Sequence, residues 1–356
     1  MVASEASGPV AGGARSSGAL SRLPAALRPT VPGLLLVLSS ITFAEFLTGS
    51  TPVLTPLLDP VSLLFLLGLY GAGVLLVREA SVRWQKGWPT VLLLGAAYGI
   101  VEEAIGTKTF FGPAGVGYLG VFGHFAGVNW VWAVELALFH AVYSIALPIA
   151  VVALVFPGTR GRSFLATARS RGFVLAVFAL TVAAMFLLFN PSETPGAPLL
   201  VGALAAVGLL VLAGRLAPRG LADLRFGRAA VRSGVAPFAL GVLFVVGFFG
   251  LAWVGPRLLP VPAAIAAGLL LWCVGFGVYL ARHREGFEAP RSRLDLILGC
   301  LSFLLVLAFG FGVAGDYGAI PVAAIVVVVG WRLRGHLSAP LPASAPLGAV
   351  GDGSAS

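Results

Sequence analysis

Along this chain apolar residues come in near-continuous runs, with neither the alternation of a half-buried strand nor the single stripe of a surface helix. Ten runs approach the ~20 residues that carry a helix across a ~30 Å hydrocarbon core. They fall at 31–48, 61–77, 88–106, 129–155, 172–189, 197–214, 235–255, 261–281, 295–314 and 317–331, separated by turns bearing Arg, Pro and Gly. A membrane β-barrel would instead show alternating segments of about ten residues. The pattern predicts an all-α, polytopic transmembrane helical bundle of about ten spans.

Composition agrees: the chain is 58% hydrophobic and 10% charged, with a mean hydropathy of +0.99, where a soluble domain carries about 25% charged residues. Short cytoplasmic loops of membrane proteins collect Lys and Arg. An inside N-terminus places 21 of the 23 basic residues in inner loops and tails, leaving Lys108 and Arg257 outside. Both termini are therefore predicted to be cytoplasmic, in a multi-pass protein of the cell membrane. Trp84, Trp88 and Trp331 then mark the inner boundary and Trp130, Trp132 and Trp253 the outer one. The net charge of +9 follows from this orientation and from attraction to anionic lipid. Membrane lipid is thus an expected partner and nucleic acid is not.

The chain divides into a disordered tail over 1–30, a four-helix membrane unit over 31–156, a basic loop over 157–171, a six-helix scaffold unit over 172–335 and a flexible tail over 336–356. Cys273 and Cys300 fall inside predicted helices, where free Cys acts as a small apolar residue. In the scaffold unit Gly247 with Gly250 and Gly310 with Gly312 should let helices approach closely. The outer loop from Thr107 to Val128, too apolar for a solvated loop and too broken by Gly and Pro for a span, reads either as a re-entrant lid or as a loop in the headgroups.

Glu45, Glu102, Glu103, Glu135 and His140 fall inside or at the ends of spans of the first unit, and no comparable cluster occurs later. A carboxylate at mid-helix costs roughly 2.5 to 3.5 kcal/mol on insertion scales, so such groups face a polar interior and have a task there. From the predicted helix ends, Glu102 and Glu103 lie about 21 Å along the third span and Glu135 about 9 Å down the fourth, with His140 near mid-membrane. Glu45, Lys108, His124 and Asn129 belong to the same outer layer. Neighbouring helical positions are about 100° apart, so one acid of the Glu102–Glu103 pair is expected to face a cavity while the other turns to a different helix. Glu102, Glu103 and His140 could activate a water, hold a divalent cation through two oxygens and one nitrogen, or pass protons. Purely structural roles stand beside these: Glu135 snorkelling or capping, His140 bridging helices, and Lys108 pairing with the acids.

The segments GAAYGIVEEAIGTK (Gly95 to Lys108), VNWVWAVELALFHAVYSIALPI (Val128 to Ile149) and FAEFLTGSTP (Phe43 to Pro52) resemble a family of uncharacterised prokaryotic integral membrane proteins. More loosely, the Glu pair and the following His resemble the CAAX-protease and bacteriocin-processing (abortive infection) family of intramembrane proteases. That resemblance implies a Glu-activated water cleaving a peptide bond. Glu102 and Glu103 match the Glu pair and His140 the second motif; Thr107 stands at the Arg position and Leu136 at the Phe position. The third motif is missing, because His283 and His336 lie outside the predicted spans.

Three functions follow for testing. The first is a Glu-dependent intramembrane hydrolase acting on a membrane peptide, with Glu102 or Glu103 as base and His140 orienting the water or stabilising the oxyanion. The second is a proton-coupled or cation transporter of a small solute. The third is a non-catalytic scaffold or immunity-type protein. A divalent metal is a candidate cofactor, and the oligomeric state stays open.

Overall fold

A computed structural model describes residues 30–112, 121–217 and 236–338. Most of both expected tails, the middle of the outer loop and the basic stretch after Ala217 lie outside the described residues. Every predicted run forms a helix: α1 Thr30–Phe46, α2 Pro60–Arg83, α3 Trp88–Gly106, α4 Trp130–Val155, α5 Ala168–Leu188, α6 Ala197–Leu216, α7 Pro237–Leu258, α8 Pro262–Arg282, α9 Pro290–Val313 and α10 Ala319–Leu337. Among the described residues nine of these are long and apolar enough to cross a membrane. The exception, α1, joins 12 α-helical to 5 π-helical residues. The one described hairpin pairs His124–Phe125 with Val128–Asn129.

Helix starts follow local chemistry. Proline occupies the first turn of α2, α3 and α6 to α9, where its missing N–H costs nothing. Asp59 caps α2, accepting from Val61 N at 3.1 Å and Ser62 N at 3.1 Å. The hydroxyl and amide of Ser62, with the amide of Val61, hold the Asp59 carboxyl below its ordinary value of 3.8. Asn129 caps α4 through Trp132 N at 3.2 Å, and Thr167 opens α5 in a capping box with Ser170.

The centre of the bundle is α1 to α4, with α5 and α6 laid against α2 and α3. A Gly-x-x-x-Gly pair sets a close contact between α3 and α4: a Cβ on Gly95 would stand 2.7 Å from Ala141 Cα, and one on Gly99 3.0 Å from His140 Cβ. Small residues at this spacing let α3 and α4 meet backbone to backbone. In the second half α7 and α9 pack through Gly241 and Gly299, where a Cβ on Gly241 would meet Cys300 N at 2.6 Å. Of the glycines expected to do this, Gly247 and Gly312 abut Trp272 and Ile320, whereas Gly250 and Gly310 face open space. The outer surfaces of α5, α6, α8 and α10 expose rows of leucine and valine, Leu187 and Leu271 at 73% each. Such surfaces suit a hydrocarbon surround.

Candidate functional site

Four of the central helices change from α to π geometry, and each π turn carries a polar residue of one cluster. Thr42–Phe46 holds Glu45, Leu67–Gly71 holds Tyr70, Val101–Gly106 holds Glu102 and Glu103, and His140–Ala146 begins with His140. A π turn inserts one residue into the hydrogen-bond ladder and is commonly found at functional positions. It also corrects the expectation for the adjacent acids. The angular step falls to roughly 80° with i→i+5 bonding, and His140 sits between the two side chains, so both glutamates reach one ring. Its Nε2 lies 3.1 Å from Glu103 Oε1 and its Nδ1 3.3 Å from Glu102 Oε2.

The contacts continue beyond this trio. Tyr70 Oη is hydrogen-bonded to Glu102 Oε1 and to Glu45 Oε1. Thr51 donates to Glu45 Oε2 at 2.5 Å, Thr107 to Glu103 Oε2 at 3.1 Å, and Thr109 to the same oxygen. Ser144 Oγ lies 2.8 Å from His140 Nδ1. The result is an unbroken chain, Glu45–Tyr70–Glu102–His140–Glu103, drawn from α1 to α4. Its middle is sealed, with Tyr70 at 2% and Glu102 and His140 at 3% exposure, while Glu103 reaches 9% and Glu45 is half-buried. His140 and Tyr70 each stand ten residues into their spans, about 15 Å and hence at mid-membrane.

Counting hydrogens constrains the charge state. Tyr70 has one proton to donate but two carboxyl oxygens to satisfy. The second bond needs a proton on the facing carboxyl, which then donates to the phenol oxygen. An imidazolium at His140 would donate to Glu103 from one nitrogen and to Ser144 or Glu102 from the other. The two bonds of Tyr70 and the His140–Glu103 bond are then each matched by one hydrogen, while Nδ1 of His140 meets Ser144 Oγ at 2.8 Å beside Glu102 Oε2 at 3.3 Å. Among the described residues Tyr98 Oη and Glu102 Oε2 are both buried without a hydrogen-bond partner. Glu102, Glu103 and His140 also each offer one ligand atom within 4.8 Å of the others, a donor set that suits a divalent ion.

The remaining predicted residues go elsewhere. Lys108 is buried but pairs with neither glutamate; its ammonium donates to Phe186 O at 2.5 Å and lies 4.9 Å from the Phe186 ring. That removes the proposed salt bridge, because the lysine turns towards α5 at a left-handed backbone position, φ 63°. His124 is exposed on the hairpin, away from the cluster, and Asn129 serves as the α4 cap. Glu135 is buried at 3% and accepts from Trp253 Nε1 of α7 at 2.8 Å. The start of the outer loop packs on the site through Thr107 and Thr109, whereas residues 113–120 lie outside the described residues.

Sequence reasoning missed Tyr70, Ser144 and Trp253. A lone Tyr in the apolar run LLFLLGLYGAGVLLV was the available signal for the first. It also missed Arg78 and Glu79, which are buried at 5% and 3% near the far end of α2. Glu79 accepts from Ser163 Oγ at 2.7 Å and from Phe164 N at 3.2 Å, and Arg78 donates to Thr159 O at 2.8 Å, so the pair fastens the loop after α4.

No curated protein and no solved structure matches the chain, and no match shows the protease likeness. Residues 34–337 match the model of an uncharacterized membrane protein family. Since that match spans α1 to α10 and all five residues of the buried chain, the protein belongs to this uncharacterized membrane protein family.

Proposed function

We propose that the protein is a proton-coupled membrane carrier whose moving protons reside in the Glu45–Tyr70–Glu102–His140–Glu103 chain. One observation carries the reading: five ionisable or phenolic groups from four helices stand in one run of hydrogen bonds and close ion-pair contacts at mid-membrane, and the two bonds of Tyr70 are matched only when a proton is shared between its two carboxyls. Ionisable groups at this depth serve as proton relays in pumps and carriers. The less buried ends, Glu45 and Glu103, would exchange protons with the nearer surface, and solute movement would be tied to occupancy of the sealed middle. The test uses full-length protein in vesicles with a trapped pH-sensitive dye, supplied with a panel of inorganic and organic cations. Wild type should move protons in response to at least one solute, and Glu102→Gln and His140→Ala should not. Equal proton movement in wild type and both variants overturns the proposal.

A second reading, a Glu-dependent membrane hydrolase, is favoured by the compact Glu102, Glu103 and His140 donor set. Glu103 would act as base, and a divalent ion held by the three would supply an activated water. It predicts cleavage of a membrane peptide that Glu103→Gln abolishes.

A further inference from the structure

Glu135 is unlike the other buried acids. Glu45, Glu102 and Glu103 each touch Tyr70 or His140; among the described residues Glu135 has a single bond, from Trp253 Nε1 at 2.8 Å to Oε1, and its buried Oε2 has no hydrogen-bond partner. Among the described residues no Lys, Arg or His forms an ion pair with it. An orphaned carboxylate oxygen at 3% residue exposure is expensive unless something outside the chain satisfies it.

Its described partner, Trp253, belongs to an aromatic cluster. Trp253 packs at 4.8 Å from Phe249 and 5.9 Å from Phe303, with Phe249 and Phe303 4.8 Å apart. Phe249 continues to Phe139 at 6.4 Å, and Phe139 to the ring of His140 at 5.4 Å. Trp253 lies on the π turn Gly250–Val254, the only such turn in α7, and is half-buried beside Val254, which is 48% exposed on the surface of the bundle.

One carboxylate held by an indole N–H beside an aromatic cluster is too poor in donors for a divalent metal, which requires several oxygen or nitrogen ligands. It suits a large monovalent cation, whose diffuse charge is attracted by ring faces and whose apolar substituents fit the same walls. From this we infer that Glu135 and Trp253, with Phe249 and Phe303, form a binding site for a lipophilic organic cation such as a substituted ammonium or phosphonium ion, entering from the membrane beside α7. The inference rests on the carrier reading and names its substrate class. The ring series Trp253, Phe249, Phe139 and His140 would connect the cation site to the proton-bearing chain.

The experiment titrates radiolabelled tetraphenylphosphonium onto detergent-purified full-length protein, with tetraphenylborate, of the same shape and opposite charge, as the control. Wild type should bind the cation saturably, Glu135→Gln about tenfold more weakly, and Trp253→Phe more weakly by a smaller factor, since a ring remains. Tetraphenylborate should not distinguish the three proteins. Melting curves verify folding, and should Glu135→Gln fail to fold, Trp253→Phe reads the site alone. Absence of saturable cation binding by wild type, or equal affinity in the folded variants, overturns the inference. The assay contains no pH gradient, so its failure is separable from failure of proton coupling.

Discussion

The α1–α4 group and the α7, α9, α10 group are made of the same apolar residues, yet they hold their helices together in different ways. In the first, all four helices are interrupted by π turns, and the widened positions present Glu45, Tyr70, Glu102, Glu103 and His140 to one another. In the second, α9 and α10 are regular throughout, and contact rests on Gly241 against Gly299 and on ring contacts such as Phe249 of α7 with Phe303 of α9, 4.8 Å apart. The single π turn of α7 occurs where that helix reaches across to Glu135. Among the described residues the π turns therefore coincide with the mid-membrane cluster and with the reach of α7 to Glu135. A π turn gives up regular bonding to redirect side chains, and the second group has no polar cluster for such a turn to serve.

That contrast can be broken most strongly at His140. His140→Ala leaves Glu102 and Glu103 facing each other without the ring between them, and removal of one partner from a buried ion pair costs about 3–5 kcal/mol. Detergent melting should show a large loss, and a wild-type melting temperature would mean that the acids are not held by the ring. A comparably large change in the second group, Leu304→Ala at a fully buried position, should cost about 2–5 kcal/mol as a cavity, but should leave proton movement by the surviving folded protein intact.

Next in size is Gly95→Leu, which pushes α3 away from Ala141 and should cost about 1–3 kcal/mol by overpacking. Gly241→Leu should cost a similar amount in the other group. Only the first should also alter proton uptake, so equal effects on uptake would remove the distinction between the groups.

Tyr70→Phe is smaller for stability, about 1–3 kcal/mol for two carboxyl oxygens that lose a shared partner. It should nevertheless change the protonated-carboxyl signal in infrared spectra, and an unchanged signal would place the shared proton elsewhere. The smallest expected effect is Asp59→Ala at the α2 cap. Because the folded carboxyl is held below its ordinary 3.8, the cap stabilises fully above that value and is lost as pH falls through the lower folded value. The difference in melting temperature between wild type and Asp59→Ala should be constant around neutral pH and shrink in acid.

The hydrophobic pattern was enough for the helices, because spanning length and continuous apolarity are properties of single segments and need no partner. It also singled out Glu45, Glu102, Glu103 and His140, since an ionisable residue inside an apolar run is visible without knowing what it touches. Three things depended on the tertiary structure. Both acids of the pair meet one imidazole because α3 changes to π geometry there, which side-chain spacing on an ideal helix forbids. Tyr70 joins the chain, and Trp253 reaches Glu135 from 118 positions away, only because separate helices are packed together. Lys108, adjacent in sequence to the acids, turns to Phe186 of α5 instead. Sequence spacing fixes which groups share a helix and roughly how deep they lie, but hydrogen bonds between helices are decided by register and rotation, and those emerge only from packing.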